Sequence, residues 1–240
     1  MPERLRPPAP LRAWRSLARR GLRETLQRAA WNLSALVELP YRRIRPAPKF
    51  VVDGVEHTTL VRFYNTTWRN ERAVEIPLAL HFLSAHPGSL LEVGNVLPFY
   101  GRAGHTVVDK YEVSPGVLNV DVVEYEPPER FDAIVCISTL EHVGWDEVPR
   151  DPPKFLRALT HLRTLLAPGG RMLVTCPLAY NEFLDAGIAD GRFAPAHESF
   201  LLRTGRRWHQ TDSANARASG RYLGETWGGT AIWVAEFTAP

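Results

Sequence analysis

The feature that most constrains this chain is a series of short apolar segments, spaced at intervals between residues 89 and 177. SLLEV, HTVVD, VLNV, FDAIVCIS and RMLVTCP each have the length of a strand, and a helical segment separates the last two. In that helix, expected over residues 152–166, Phe155, Leu159, Leu162 and Leu166 share one face, Asp151 is placed to cap it and Pro152 suits its first turn. Strands alternating with helices build a parallel sheet with right-handed crossovers, and ligands bind beyond the strands' carboxyl ends. Two late strands, ESFLLR and TAIWVAEF, close the sheet as a hairpin. The expected fold is therefore a three-layer α/β sandwich around a mostly parallel, seven-stranded sheet.

Upstream of the sheet, FVVDGVEHTTLVRFY holds two β-favouring runs around Asp53-Gly54, a dipeptide suited to the positive φ angles of a tight hairpin. NERAVEIPLALHFLSAH reads as a helix interrupted or re-aimed at Pro77, with Asn70 as cap and His86-Pro87-Gly88 as stop. The compact domain is expected to span residues 50–240. Residues 1–49 form a separate arm, in which Leu11, Trp14, Ala18, Leu22, Ala29, Leu33 and Leu36 recur near the helical period before a proline-rich linker at 40–48.

Charge divides the same way. The first 50 residues hold 12 Arg or Lys against Glu3, Glu24 and Glu38, a net +9, while the remainder holds 17 against 23, a net −6. An acidic body disfavours nucleic acid, whereas a basic amphipathic arm suits an anionic membrane surface or a protein partner through residues 1–45. Cys136 and Cys176 sit in apolar runs and read as buried free thiols in a reducing compartment. The longest apolar stretches fall short of a membrane span, and the expected location is cytoplasmic, with peripheral membrane contact through the arm.

The residues that carry chemistry lie at the strand ends. Gly94 follows SLLEV, where a backbone without Cβ turns close to a ligand. Asp109 ends HTVVD, the place where a nucleotide-binding sheet sets an acid against ribose hydroxyls, and Asp121 follows VLNV. A glutamate inside a strand, as Glu92 is, serves equally as a satisfied buried carboxylate. His and Cys show no ligand spacing such as CxxC or HExxH, so no metal site is expected.

Taken in order, LLEVGN, VVDKYE, LNVDVVEYEPPERFDAIVCISTLEHVGWDE and LRTLLAPGGRMLVTCPLAYN resemble the motifs of class I, Rossmann-like S-adenosylmethionine-dependent methyltransferases over residues 89–181. The PGG turn entering RMLVTCP is especially suggestive. The resemblance implies S-adenosylmethionine as cofactor, with Glu92, Gly94 and Asn95 in the cofactor loop and Asp109, followed by Lys110, at the ribose. Asp121 and Val122 would clamp the adenine, and Ser138 and Thr139 border the methionine moiety. His142, in STLEHVGWDE, is the candidate general base, since imidazole titrates near neutrality. Arg72, in YNTTWRNERAVEIP, is placed to pair the methionine carboxylate. The acceptor would be a small molecule, a lipid-linked molecule or a glycan precursor. One departure stands out: Val96, Leu97 and Pro98 follow Gly94 where the family has further glycines. That leaves a non-catalytic binding or scaffold protein with an altered loop as the alternative. A nicotinamide-dependent oxidoreductase is disfavoured by the missing GxGxxG.

Overall fold

The computed structural model describes residues 26, 29–31, 33–40, 42, 44–224 and 228–240. It divides into two compact units, Met1–Pro46 and Ala47–Pro240. In the first, the described residues from Leu26 to Ile44 are helical, and Leu33 and Leu36 stand exposed. The stripe through Leu11, Trp14, Ala18 and Leu22 lies outside the described residues. The linker expected over 40–48 is shorter, because Pro40, Arg42 and Ile44 are helical. A proline removes one amide donor from a helix without forbidding helical geometry on either side.

The second unit begins with β1 (Lys49–Val52) and β2 (Val55–Thr58), an antiparallel pair. Val52 faces Val55 across a two-residue turn in which Asp53 and Gly54 have φ of 51° and 81°. Lys49 pairs with Thr58, so the unit starts before the expected residue 50. After two tight turns over Tyr64–Arg69 comes α1 (Arg72–Ala85), which passes through Pro77 unbroken. Pro77 cannot donate to the Ala73 carbonyl, and the Leu60 amide takes that place at 2.8 Å, so the helix continues instead of being interrupted. The N-cap is Glu71 rather than the expected Asn70, which lies one residue earlier and accepts from the Arg72 amide on Oδ1 at 3.1 Å.

The central sheet has eight strands: β3 (Leu90–Val93), β4 (Thr106–Val108), β5 (Val117–Leu118), β6 (Phe131–Ile137), β7 (Leu166–Pro177), β8 (His197–Thr204), β9 (Arg207–Thr211) and β10 (Ala231–Thr238). Their order is β5-β4-β3-β6-β7-β10-β8-β9, parallel from β5 to β7 and antiparallel beyond. The strand beyond the expected seven is β9, an edge strand whose RWHQT buries only Trp208 and so carries little apolar pattern. It pairs with β8 through a turn at Gly205.

Two apolar layers sandwich the sheet. On one face α2 (Lys154–Thr164) buries Phe155, Leu159 and Leu162 against Ile134, Met172 and Trp233, beside α3 (Glu182–Ala189) and α4 (Ser213–Ser219). On the other, α1 packs Ile76, Ala79 and Leu83 with Val135, Leu173 and Ile232. The start of α2 differs from expectation: its N-cap is Pro153, and the Asp151 carboxylate pairs with Arg157 rather than capping. Leu166 belongs to β7, where the PGG turn forms an irregularity between Leu166 and Arg171 opposite Phe131 and Ala133.

Candidate active site

At the carboxyl end of β3, Gly94 turns with φ 85°, and a Cβ there would collide with the side chain of Thr139 beyond β6. Glu92, fully buried, points behind this turn. Its Oε1 accepts from the amides of Val96 (2.9 Å) and Leu97 (2.7 Å), and its Oε2 lies 2.7 Å from His105 Nε2. Both carboxylate oxygens are therefore engaged in shaping the loop. The Val96-Leu97-Pro98 segment, in place of further glycines, forms a single turn over Leu97–Tyr100. Asn95 donates to Glu112 at 2.6 Å, while its Oδ1 is buried without a hydrogen-bond partner.

Next along the sheet edge, Asp109 follows β4. Its Oδ1 accepts from the amides of Tyr111 (2.9 Å) and Glu112 (2.7 Å), an arrangement that fixes the carboxylate and leaves Oδ2 without a bond to any described residue. Asp121 is differently placed. Its Oδ2 receives Lys110 Nζ at 2.8 Å and Lys154 Nζ at 2.5 Å, both of which also meet Glu147. Burial pushes the Asp121 carboxyl up, but the hydrogen bonds from Lys110 and Lys154 outweigh it and hold the group below its ordinary value. The hydrogen bond to Asp121, with that to Glu147 behind it, raises the Lys110 ammonium. Val122, beside Asp121, is buried at the head of a one-turn helix.

On the other side of β3, the start of α1 meets the end of β6. Glu75, fully buried, accepts from Ser138 Oγ (2.6 Å) and Thr175 Oγ1 (2.8 Å) on Oε1 and from Arg72 Nη1 (2.8 Å) on Oε2. Ser138 holds φ 40°, a left-handed conformation uncommon for a residue with Cβ and typical of strained functional turns. Arg72 Nη1 also donates to the Ile137 carbonyl at 3.1 Å, and its other guanidinium nitrogens make no bond to a described residue. Burial lowers the Arg72 guanidinium, but Glu75 and Glu71 beside it prevail and raise it. Tyr100 comes close to this group from the loop after β3; its hydroxyl is buried without a hydrogen-bond partner, and burial pushes it up to about 12. Above it, Tyr64 stacks on Phe99 with ring centroids 5.1 Å apart.

Beyond β6, His142 Nδ1 lies 2.6 Å from Asp146 Oδ2 and 2.9 Å from the Tyr180 hydroxyl, which itself donates to Asp146. His142 Nε2 faces Glu141 Oε1 at 3.6 Å, an ion-pair rather than a hydrogen-bond distance. The Glu141 side chain is only 1% exposed, and neither oxygen has a hydrogen-bond partner. Burial raises its carboxyl to about 7. Tyr222 packs edge-on against Tyr180 at 4.6 Å.

Apart from Glu92, which lies within β3, the residues singled out in sequence thus lie in loops leaving the carboxyl ends of β3, β4, β5 and β6, joined by Arg72 from α1. Their side chains differ in what they offer. Asn95, Asp109, Arg72 and His142 keep polar atoms with room for a ligand or face the exposed rim, whereas Glu92, Asp121, Lys110 and the Ser138 hydroxyl are bonded to protein. Tyr100, Tyr180 and Lys154 join these residues without a motif of their own in the sequence. Tyr180 sits in the LAYN end of the strand-five motif and Lys154 in an amphipathic helix, where neither differs from an ordinary packing or surface residue. Tyr100 lies in the departing loop, and that departure was its only signal.

An open α/β sheet with a ligand crevice at the parallel strands' carboxyl ends, glycine at the first turn and an acid after the second strand defines the nucleotide-binding Rossmann-like class. Within it, the family model described as methyltransferase domain matches residues 68–221. The chain belongs to that family of methyltransferase domains. No curated protein matches it in sequence. Among solved structures it is similar to N-methyltransferase NodS from Bradyrhizobium japonicum WM9 in complex with S-adenosyl-L-homocysteine, at 16% identity over 71% of this chain and 87% of that one, with a TM-score of 0.44. It is also similar to the 1,6-didemethyltoxoflavin-N1-methyltransferase of Burkholderia thailandensis (16% identity, 80% and 100% covered, TM-score 0.39). A third is CalS10, an amino pentose methyltransferase from Micromonospora echinaspora (17% identity, 71% and 92% covered, TM-score 0.36).

Proposed function

We propose that this protein transfers a methyl group from S-adenosylmethionine to a small-molecule, lipid-linked or glycan-type acceptor. The observation that carries this reading is a concentration of orphaned polar atoms at one end of the sheet. Asn95 Oδ1, the Tyr100 hydroxyl and both Glu141 oxygens are buried there without hydrogen-bond partners. Native proteins leave few such groups, and a ligand is one thing that completes them. The donors and acceptors suit the cofactor: Asp109 Oδ2 accepts from ribose hydroxyls, Arg72 holds a carboxylate, and Asp121 with Val122 borders the adenine. Ser138 and Thr139 line the methionine half.

When bound, the cofactor supplies an activated sulfonium methyl. The chain orients the acceptor beside it, and His142, held between Asp146 and Glu141, takes the proton that a hydroxyl or amine acceptor sheds. Incubation with cofactor labelled in its methyl group and a pool of small-molecule extracts tests the reading. Label should appear in an acceptor with wild-type protein and fall with Asp109→Ala; label confined to the cofactor with every extract would contradict transfer.

The rival reading, a binding or scaffold protein of the same fold, draws on the loop after Gly94, which Glu92 fastens through two amides and Phe99 packs against Tyr64. It requires that S-adenosylmethionine not bind. For the arm, the +9 charge of the first 50 residues supports contact with an anionic membrane or a protein partner. No helix among the described residues is long and apolar enough to cross a membrane.

A further inference from the structure

At the amino end of the parallel strands, opposite the loops of the candidate site, a cleft of about 630 Å³ opens at the starts of β3, β4 and β6. It is lined by Ser89, Phe131 and the run Arg102, Ala103, Gly104 and His105, among others, and its volume suits a small organic molecule. The run offers donors. Arg102 is exposed and its guanidinium pairs with no described residue, and the amides of Ala103, Gly104 and His105 meet no acceptor among the described residues either. Gly104 turns with φ 91°, and the space that a Cβ would take there is open. Successive free amides around such a turn form a concavity for an anion, and a guanidinium beside them suits a phosphate, which it grips with two N–H groups. The nearby carboxylate is already engaged: Asp132 Oδ2 accepts from the Ser89 amide at 2.8 Å and from Ser89 Oγ at 2.9 Å.

His105 ties this cleft to the loop after Gly94. Its side chain is only 7% exposed, with Nε2 at 2.7 Å from Glu92 Oε2 and Nδ1 buried without a hydrogen-bond partner. Glu92 in turn accepts from the amides of Val96 and Leu97, and the Arg102 amide donates to the Leu97 carbonyl at 3.2 Å. Two short routes thus run from one wall of the cleft to that loop. We infer that the cleft is a second ligand site, for a phosphate-bearing small molecule, and that its occupant steadies the loop through His105 and Glu92. The phosphate takes the Arg102 guanidinium and the free amides, and Phe131 lines the space left for the organic body. An anion on one side of the imidazole and Glu92 on the other fix the ring, and through Nε2 the carboxylate that carries the Val96 and Leu97 amides. The cofactor then meets a loop that is already ordered. Only this relay depends on the cofactor reading above.

Backbone amide NMR spectra of the full chain, titrated at constant ionic strength with inorganic phosphate and with ribose 5-phosphate, test the site without any cofactor. The signals of Ala103, Gly104 and His105 should shift saturably with both probes, ribose 5-phosphate binding the more tightly, and neither probe should move them in Arg102→Ala. Equal affinities for the two probes would contradict an organic occupant. Shifts confined to the basic first 50 residues, or retained in Arg102→Ala, would overturn the site altogether. Calorimetry with S-adenosylhomocysteine tests the relay: saturating ribose 5-phosphate should tighten its binding about fivefold in the wild type and change it less than about twofold in His105→Gln. By reciprocity, S-adenosylhomocysteine should tighten ribose 5-phosphate binding by the same factor. Unchanged S-adenosylhomocysteine affinity in the wild type would overturn the relay. A chain that takes ribose 5-phosphate but no S-adenosylhomocysteine would remove the cofactor reading and the relay with it, leaving the site standing.

Discussion

Glycine at position 94 is required twice over, by a φ of 85° and by Thr139, which occupies the space of a Cβ. Gly94→Ala should therefore lower the melting temperature and weaken cofactor binding together, and trimming Thr139 to Ala should recover only part of either, because the backbone strain stays. Asp109 acts through charge. Losing charge-assisted bonds to ribose costs about 1.5 to 3 kcal/mol, so Asp109→Ala should weaken S-adenosylmethionine binding by roughly ten- to a hundredfold in a titration, with the fold intact. Unchanged affinity would move the ribose contact, with Glu112 next in line. Glu141 carries a pH signature. Its folded carboxyl is raised by burial from 4.5 to about 7, so the folded state favours the protonated form. The stabilising effect is full below about pH 4.5 and is lost as pH rises through 7, amounting to an order of 3 kcal/mol. Denaturant unfolding should show the wild type losing stability relative to Glu141→Gln between pH 5 and pH 8; parallel curves would place the titration elsewhere.

At the scale of elements, the parallel strands, the Asp53-Gly54 hairpin and the amphipathic face of α2 were legible because each has a local cause: apolar runs, a turn dipeptide, a helical period. What escaped was decided by distant partners. Pro77 looked like a break in α1, yet the Leu60 amide satisfies the carbonyl it orphans. β9 pairs at an edge and needs one buried tryptophan only. In the site, the chain order of Asp109, Asp121 and His142 was readable, but nothing in sequence showed that Lys110 and Lys154 converge on Asp121 or that Glu92 reaches His105. The hairpin's tie to the main sheet is of the same kind: Asp53 accepts from Ser199 Oγ and Gln210 Nε2, both at 2.6 Å, and lies 2.8 Å from His197 Nε2. Asp53→Ala should speed hydrogen exchange of the amides in β1 and β2 while leaving cofactor affinity within about twofold, as expected of local unfolding remote from the ligand. Protection unchanged in that variant would mean that apolar packing alone holds the hairpin.

For the whole molecule, charge is divided between a net +9 over the first 50 residues and a net −6 over the rest, and the chain falls into two units, Met1–Pro46 and Ala47–Pro240. Deleting residues 1–45 should leave cofactor affinity and the melting temperature nearly unchanged while abolishing salt-sensitive sedimentation with anionic vesicles. A shortened chain that aggregates, together with a full-length chain that ignores vesicles at low salt, would make the arm part of the fold. The central claim concerns the body, that its strand-end loops hold S-adenosylmethionine despite the altered segment after Gly94. Isothermal titration of the full chain with S-adenosylmethionine tests it most directly: the account predicts saturable binding of one molecule per chain, and the absence of both heat and a thermal shift at millimolar cofactor would contradict it.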